Sequence, residues 1–234
     1  MKSEPVKIFW TGGWDSTFRV LQLALVEKKL IQPYYLVDFT RQSYPMELQV
    51  INELTIEINK INNLILPIVI YLSDCIPQED KINEAYLKTK DKCRFGIQLN
   101  WMANFCAWKN IYGIEVSSHK HPKPAPYQRI IFNDVENYDY TLNKDSIAYP
   151  VAKWFSFPIV GLTKLDMLAY ARKHNFVHIL EKTWFCFKPV RNKPCGLCHP
   201  CKVAIEQGRN IKFARFRNLR KVSRYISNKI KMFR

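Results

Sequence analysis

Apolar residues recur in this chain in two rhythms. Residues 6–10, 34–39 and 66–72 are short apolar runs rich in β-branched and aromatic side chains, which predicts strands buried on both faces. Between them the spacing changes to three and four. Phe18, Leu21 and Leu25 follow the first run, and Leu48, Ile51, Leu54, Ile58 and Ile61 follow the second, each set predicting an amphipathic helix. Pro33 closes the first helix, Ser43-Tyr44-Pro45 opens the second, and Pro67 marks where the third strand starts. Further on, a helix runs from Cys93-Arg94-Phe95-Gly96 to about Asn110, and residues 111–116 read as a fourth strand. Thr163 caps another helix, continued by Leu165, Leu168, Ala169 and Arg172. Strands and helices that alternate in this way predict an α/β fold, a doubly wound parallel sheet whose ligands bind beyond the carboxyl ends of the strands.

At 234 residues the chain has enough length for one domain with an appendage. No apolar run is long enough for a transmembrane helix, and the N-terminus lacks the pattern of a signal peptide. The expected location is therefore the cytoplasm, where seven cysteines serve as metal ligands or buried thiols rather than disulfides. The net charge of +16 is uneven. Residues 209–234 hold ten Lys or Arg and no Asp or Glu, which leaves +6 for the remainder.

The first strand runs directly into Thr11-Gly12-Gly13-Trp14-Asp15-Ser16-Thr17 and then into a helix. Strand, glycine turn and helix together aim free backbone N–H groups and the positive end of a helix dipole at one spot, where phosphate binds. Ser16 and Thr17 add hydroxyl donors. Asp15 would repel a phosphate unless a cation lay between them, and Mg²⁺ favours carboxylate and phosphate oxygens together. Asp38, at the end of the second strand, is the candidate for holding a nucleoside, although a carboxylate there also serves as a helix cap. Residues 118–127 form a proline-rich basic loop on the ligand side of the fourth strand. Its His119 and His121 can bind metal or phosphate but read first as solvated loop residues. Residues 135–145 read as a polar loop. His174 and His178 read as helix-terminal residues before they read as a zinc pair.

Near the C-terminus Cys186, Cys195, Cys198 and Cys201 are spaced Cys-x8-Cys-x2-Cys-x2-Cys. Four thiolates meet the needs of a structural Zn²⁺, and Gly196 permits the tight turn between two of them. An iron–sulfur cluster uses similar ligands, but the run typical there ends in Cys-Pro, whereas here Pro200 precedes the last cysteine. Zinc closing such a loop contributes on the order of 10 kcal/mol to folding.

The glycine stretch resembles the PP-loop, Ser-Gly-Gly-x-Asp-Ser/Thr, of the adenine-nucleotide alpha-hydrolase superfamily, with Thr11 in place of the first serine. Together with Trp-x-Cys, Pro-Cys-Gly-x-Cys-x-x-Cys and a preceding Leu-Thr-Lys helix start, the chain resembles 7-cyano-7-deazaguanine synthase over residues 8–25 and 158–201. The resemblance implies a Rossmann-like PP-loop ATPase fold and an ATP-dependent carbon–nitrogen ligase, as in queuosine biosynthesis. Such an enzyme adenylates a carboxylate, releases pyrophosphate and adds ammonia or another amine. It implies ATP and Mg²⁺ at Thr11, Gly12, Gly13, Asp15, Ser16 and Thr17, with Asp38 beside the adenosine. It implies Zn²⁺ on the four cysteines, and Asp15, Lys164 and Arg94 as catalytic residues, the two cations neutralising the departing pyrophosphate. In the family an Asp-Tyr-Ser-Gly-Tyr-Pro-Asp-Cys-Arg stretch lies near the substrate. Here that place holds residues 117–123, Ser-Ser-His-Lys-His-Pro-Lys, so a different acceptor is expected.

These readings divide the chain into an ATP-binding α/β domain at 1–180, a zinc-binding segment at 181–208 and a basic amphipathic helix at 209–234. In the last, Phe216, Leu219, Val222, Ile226, Ile230 and Phe233 form an apolar stripe among basic residues. Docking of the stripe across a homodimer is the first expectation. Nucleic-acid binding, as in an RNA-modifying or non-catalytic relative, is the second, and an anionic membrane surface the third.

Overall fold

The computed structural model describes residues 4–120, 123–206 and 211–214. The chain begins with β1 (Val6–Phe9), α1 (Trp14–Leu21) continued by a π-helical turn (Gln22–Val26), β2 (Ile31–Val37), α2 (Tyr44–Ile61) and β3 (Val69–Leu72). Then come α3 (Asp80–Lys92), α4 (Ile97–Lys109), β4 (Ile114–Glu115), α5 (Pro126–Ile131) and the hairpin β5 (Phe132–Asp134) and β6 (Asp139–Leu142). It continues with α6 (Tyr149–Ala152), β7 (Phe155–Ser156), α7 (Lys164–Lys173), α8 (Val177–Leu180) and α9 (His199–Glu206).

Five strands pair in parallel in the order β3-β2-β1-β4-β7. The expected parallel α/β sheet is thus present. Side chains alternate across it as strand geometry requires. Ile8, Trp10, Tyr35 and Val37 enter one core with α1, α2, α7 and α8. Phe9 enters the other with α3, α4 and α6, where Tyr34 and Leu36 pack against it. The chain leaves β1 towards β2 on one side and returns to β4 on the other. The crevice between the carboxyl ends of β1 and β4 is therefore a topological switch point, the usual ligand position in such sheets. A buried ion pair ties its two walls together. Arg19 of α1 donates from Nε and Nη2 to the two carboxylate oxygens of Glu115 at the end of β4, each at 2.8 Å.

Several boundaries differ from the sequence reading. β2 starts at Ile31, with Pro33 inside it rather than before it. Proline is tolerated there because the ladder to the next strand is already broken. Ile31 pairs with Ile65 but Tyr34 with Val69, so the β3 side carries one extra residue just where Pro33 has no N–H to give. The Gln32 amide spans the break, donating to the carbonyls of Pro33 and Pro67. β3 is an edge strand, so Ile70 and Leu72 are exposed rather than buried. The fourth strand is confined to Ile114–Glu115, because Asn110 and Gly113 take positive φ just before it. Residues 135–145, expected as a loop, hold the turn and second strand of the β5–β6 hairpin. The expected stripe of the 209–234 helix and His121 lie outside the described residues. Residues 211–214 of that segment are not helical. Ala214 N donates to Pro194 O at 3.0 Å, and Phe213 packs on the four cysteines.

Candidate functional site

Gly12 follows the buried Trp10 and takes φ +67°, which glycine adopts without strain. A Cβ there would lie 3.1 Å from the carbonyl oxygen of Glu47 and 3.2 Å from Ile51 Cγ1, so the residue is also the point where the loop presses on α2. Gly13 is the N-cap of α1 and has no side chain with which to cap it. The first-turn N–H groups of α1 therefore have no side-chain cap from that residue, and an anion suits them. The Ser16 hydroxyl closes the loop from inside. It accepts from Thr11 N at 3.3 Å, lies 3.3 Å from Thr11 Oγ1 and donates to Gly13 O. Thr17 is turned away from the crevice. It is fully buried, and its hydroxyl accepts from the Trp10 indole at 3.0 Å.

Asp15 faces the crevice between Lys164 and His119, which come from distant parts of the chain. Lys164, first residue of α7, donates to Oδ1, and His119 Nδ1 lies 3.4 Å from Oδ2. Burial alone would raise the carboxyl pKa. The hydrogen bond from His119 and the charges of Lys164 and His119 outweigh it and hold Asp15 below the usual carboxylate range. Thr163 and Asp166 fix the start of α7 by a capping box, so Lys164 is aimed by a rigid helix end. His119 is held through its own backbone, its carbonyl accepting from the buried Gln128 amide at 3.1 Å. His119 is thus not the solvated loop residue expected from sequence. Its signal was position alone, a histidine four residues past the end of a strand beside the glycine loop. Among the described residues the Ser117 hydroxyl, at the same strand end, is buried with no hydrogen-bond partner.

The other expected residues are placed as follows. Asp38 is buried just beyond β2, and its Oδ1 accepts from Thr40 N and Thr40 Oγ1 at 2.9 and 2.6 Å, so the carboxylate shapes its own turn. Arg94 is exposed in the α3–α4 connection, without an ion pair to a described residue. Its neighbour Phe95 packs on Tyr127, whose hydroxyl is 2.8 Å from Ser118, so Arg94 borders the proline-rich loop. His174 caps the end of α7 with its ring on Tyr170 and belongs to no metal-ligand group among the described residues.

The four cysteines converge. Their sulfurs lie within 4.8 Å of one another and all four residues are buried. Sulfurs about 2.3 Å from one ion stand about 3.8 Å apart at tetrahedral angles. Three of the pairs here are separated by 3.3, 3.9 and 3.9 Å. Gly196, at φ +72°, makes the tight turn that lets Leu197 N and Cys198 N each donate to Cys195 Sγ at 3.3 Å. Burial raises thiol pKa values, but at Cys195 these N–H groups prevail and bring it to about 7. Burial pushes Cys186 up to about 11 and also raises Cys201. Four thiols this close cannot all ionise without a cation, and they fit a tetrahedral metal such as zinc. The cluster adjoins the glycine loop. Trp184 donates from its backbone to Gly12 O at 2.9 Å and from its indole to Cys186 O at 2.7 Å.

Among the described residues no helix is long and apolar enough to cross a membrane. No family model matches the chain, and neither a curated protein nor a solved structure does.

Proposed function

We propose that this chain is a PP-loop enzyme of the 7-cyano-7-deazaguanine synthase type, which adenylates a carboxylate at the expense of ATP. One observation carries the reading. An acidic residue in the first turn of a glycine-loop helix sits at the switch-point crevice, held between Lys164 and His119. Magnesium, when bound, would be held by Asp15 together with the phosphates and would supply positive charge against the phosphate oxygens.

In the proposed reaction the α1 N-terminus and the Gly12–Gly13 backbone bind the triphosphate. A carboxylate oxygen of the acceptor attacks the α-phosphorus, the bond to the bridging oxygen breaks, and pyrophosphate leaves with that electron pair. Lys164, released from Asp15, neutralises the departing oxygens. The acyl adenylate then takes an amine, the C–O bond to AMP breaks, and the proton from nitrogen passes to solvent. Zinc, when bound to the four thiolates, supplies structural cross-linking. The reading is tested by ATP–pyrophosphate exchange with a panel of carboxylates. Exchange that depends on one acid supports it, and Asp15→Asn abolishes that exchange while leaving the circular dichroism spectrum intact.

A further inference from the structure

A small pocket lies between the proline-rich loop and the β5–β6 hairpin, lined by Lys120, Pro124, Gln128, Glu136, Tyr138 and Tyr140. Its loop wall is anchored. Lys120 N donates to Leu162 O at 2.8 Å, and Gln128 Nε2 reaches both Ser118 Oγ and His119 O. The pocket therefore opens one residue beyond His119, which touches Asp15, and beside Leu162, two residues before Lys164. It shares a wall with the crevice.

Its other wall contains an anomaly. Tyr138 takes φ +63° in the hairpin turn, a conformation glycine or asparagine adopts easily and a bulky aromatic residue rarely does. The turn itself is set by Asp134, whose Oδ1 accepts from Glu136 N and Asn137 N and whose Oδ2 accepts from Asn137 Nδ2. The tyrosine is not there for burial, since it is 64% exposed. Its ring is presented to the pocket with Lys120 Nζ 3.9 Å from the ring centroid. A cation–π pair between a half-buried lysine and an exposed ring is a weak reward for a strained backbone. A flat partner with a negative charge would use both groups, its face on the ring and its charge at the ammonium. Of the carboxylates near Lys120, Glu136 is held by Arg129 Nη2 at 2.8 Å, and Asp166, which feels the Lys120 charge, accepts from the Thr163 N–H and hydroxyl.

We propose that this pocket seats the acceptor, and that the acceptor presents a flat, anionic end to Lys120 and Tyr138; the assignment rests on the adenylation reading above. The pocket is open to solvent and its volume is ≈ 100 Å³, less than the roughly 150 Å³ cavity that holds benzene. The acceptor therefore places only this flat, anionic end in the pocket, and the carboxylate that reacts lies at its other end, reaching past His119 to the Asp15 crevice.

Benzoate, acetate and benzamide serve as probes, titrated into the full chain and read by saturation-transfer NMR. Benzoate binds saturably, and acetate and benzamide, each missing one feature, bind at least about fivefold more weakly. Lys120→Gln lowers benzoate affinity about tenfold, the loss of one charge-assisted contact. Tyr138→Gly lowers it severalfold without lowering the melting temperature, because glycine suits the positive φ. A tyrosine kept only for the fold would show the reverse, a lower melting temperature and unchanged benzoate binding, and that result overturns the proposal. So does the absence of saturable benzoate binding, or equal affinity in wild type and both variants. MgATP affinity on the same samples reports separately on the nucleotide site, so a failure there concerns the adenylation reading and not the pocket.

Discussion

The backbone N–H of Trp184 donates to the carbonyl of Gly12 at 2.9 Å, while its indole N–H donates to the carbonyl of Cys186 at 2.7 Å. One residue thus joins the glycine loop to the cysteine cluster. A metal bound by the four thiolates would tie down the 186–201 segment, and removing it would free the outer support of the loop. Chelation is expected to lower MgATP affinity by about tenfold, and MgATP to slow metal loss reciprocally, since linkage in binding free energy is symmetric. Calorimetric titration before and after chelation, with zinc added back, checks this. Equal affinities would mean that the strap carries no coupling.

Gly12 is the loop residue least open to change. In Gly12→Ala the positive φ and the approach of Cβ to the Glu47 carbonyl both oppose the native backbone. Stability should fall by about 1–3 kcal/mol, with nucleotide binding lost. Chemical denaturation and calorimetry measure the two effects.

Thr17 separates a structural hydroxyl from a binding one. Thr17→Val removes the acceptor of the buried Trp10 indole and should cost about 1–3 kcal/mol. MgATP affinity should stay within about twofold, because the side chain points into the core. A large loss of affinity at unchanged stability would return Thr17 to the phosphate site.

The Arg19–Glu115 pair clamps the crevice from beneath, with each side chain only 10% exposed. Replacing Arg19 with Ala leaves a buried carboxylate, which loses the paired charge and both hydrogen bonds. The expected loss is about 3–5 kcal/mol, visible as a lower urea midpoint. Arg19→Ala with Glu115→Ala should recover part of it, as a double-mutant cycle shows.

Local chemistry was legible before the fold was. The glycines of the loop and the x2 spacing of the last three cysteines each specify a short-range geometry, and both recur in the structure. β1, which leads into the loop, was legible because Ile8 and Phe9 are buried on opposite faces of the sheet. What escaped depends on contacts across the chain. Arg19 and Glu115 are 96 positions apart and look like surface charges when read locally. His119 acquires its meaning only when β4 is laid beside β1. Pro33 looked like a boundary because the break that excuses it belongs to the neighbouring strand. In α3 the buried Ile82, Ala85, Tyr86 and Thr89 do follow helical spacing, but so many charges surround them that the stripe is narrow.

Adenylation at the Asp15 crevice would cleave ATP between its α and β phosphates. Phosphorus-31 NMR of the zinc-loaded chain with MgATP, an accepted carboxylate and ammonia reads this directly. The account predicts AMP and pyrophosphate in equal amounts, formed by wild type and absent with Asp15→Asn. ADP and inorganic phosphate, or equal turnover by the Asp15→Asn variant, would contradict it.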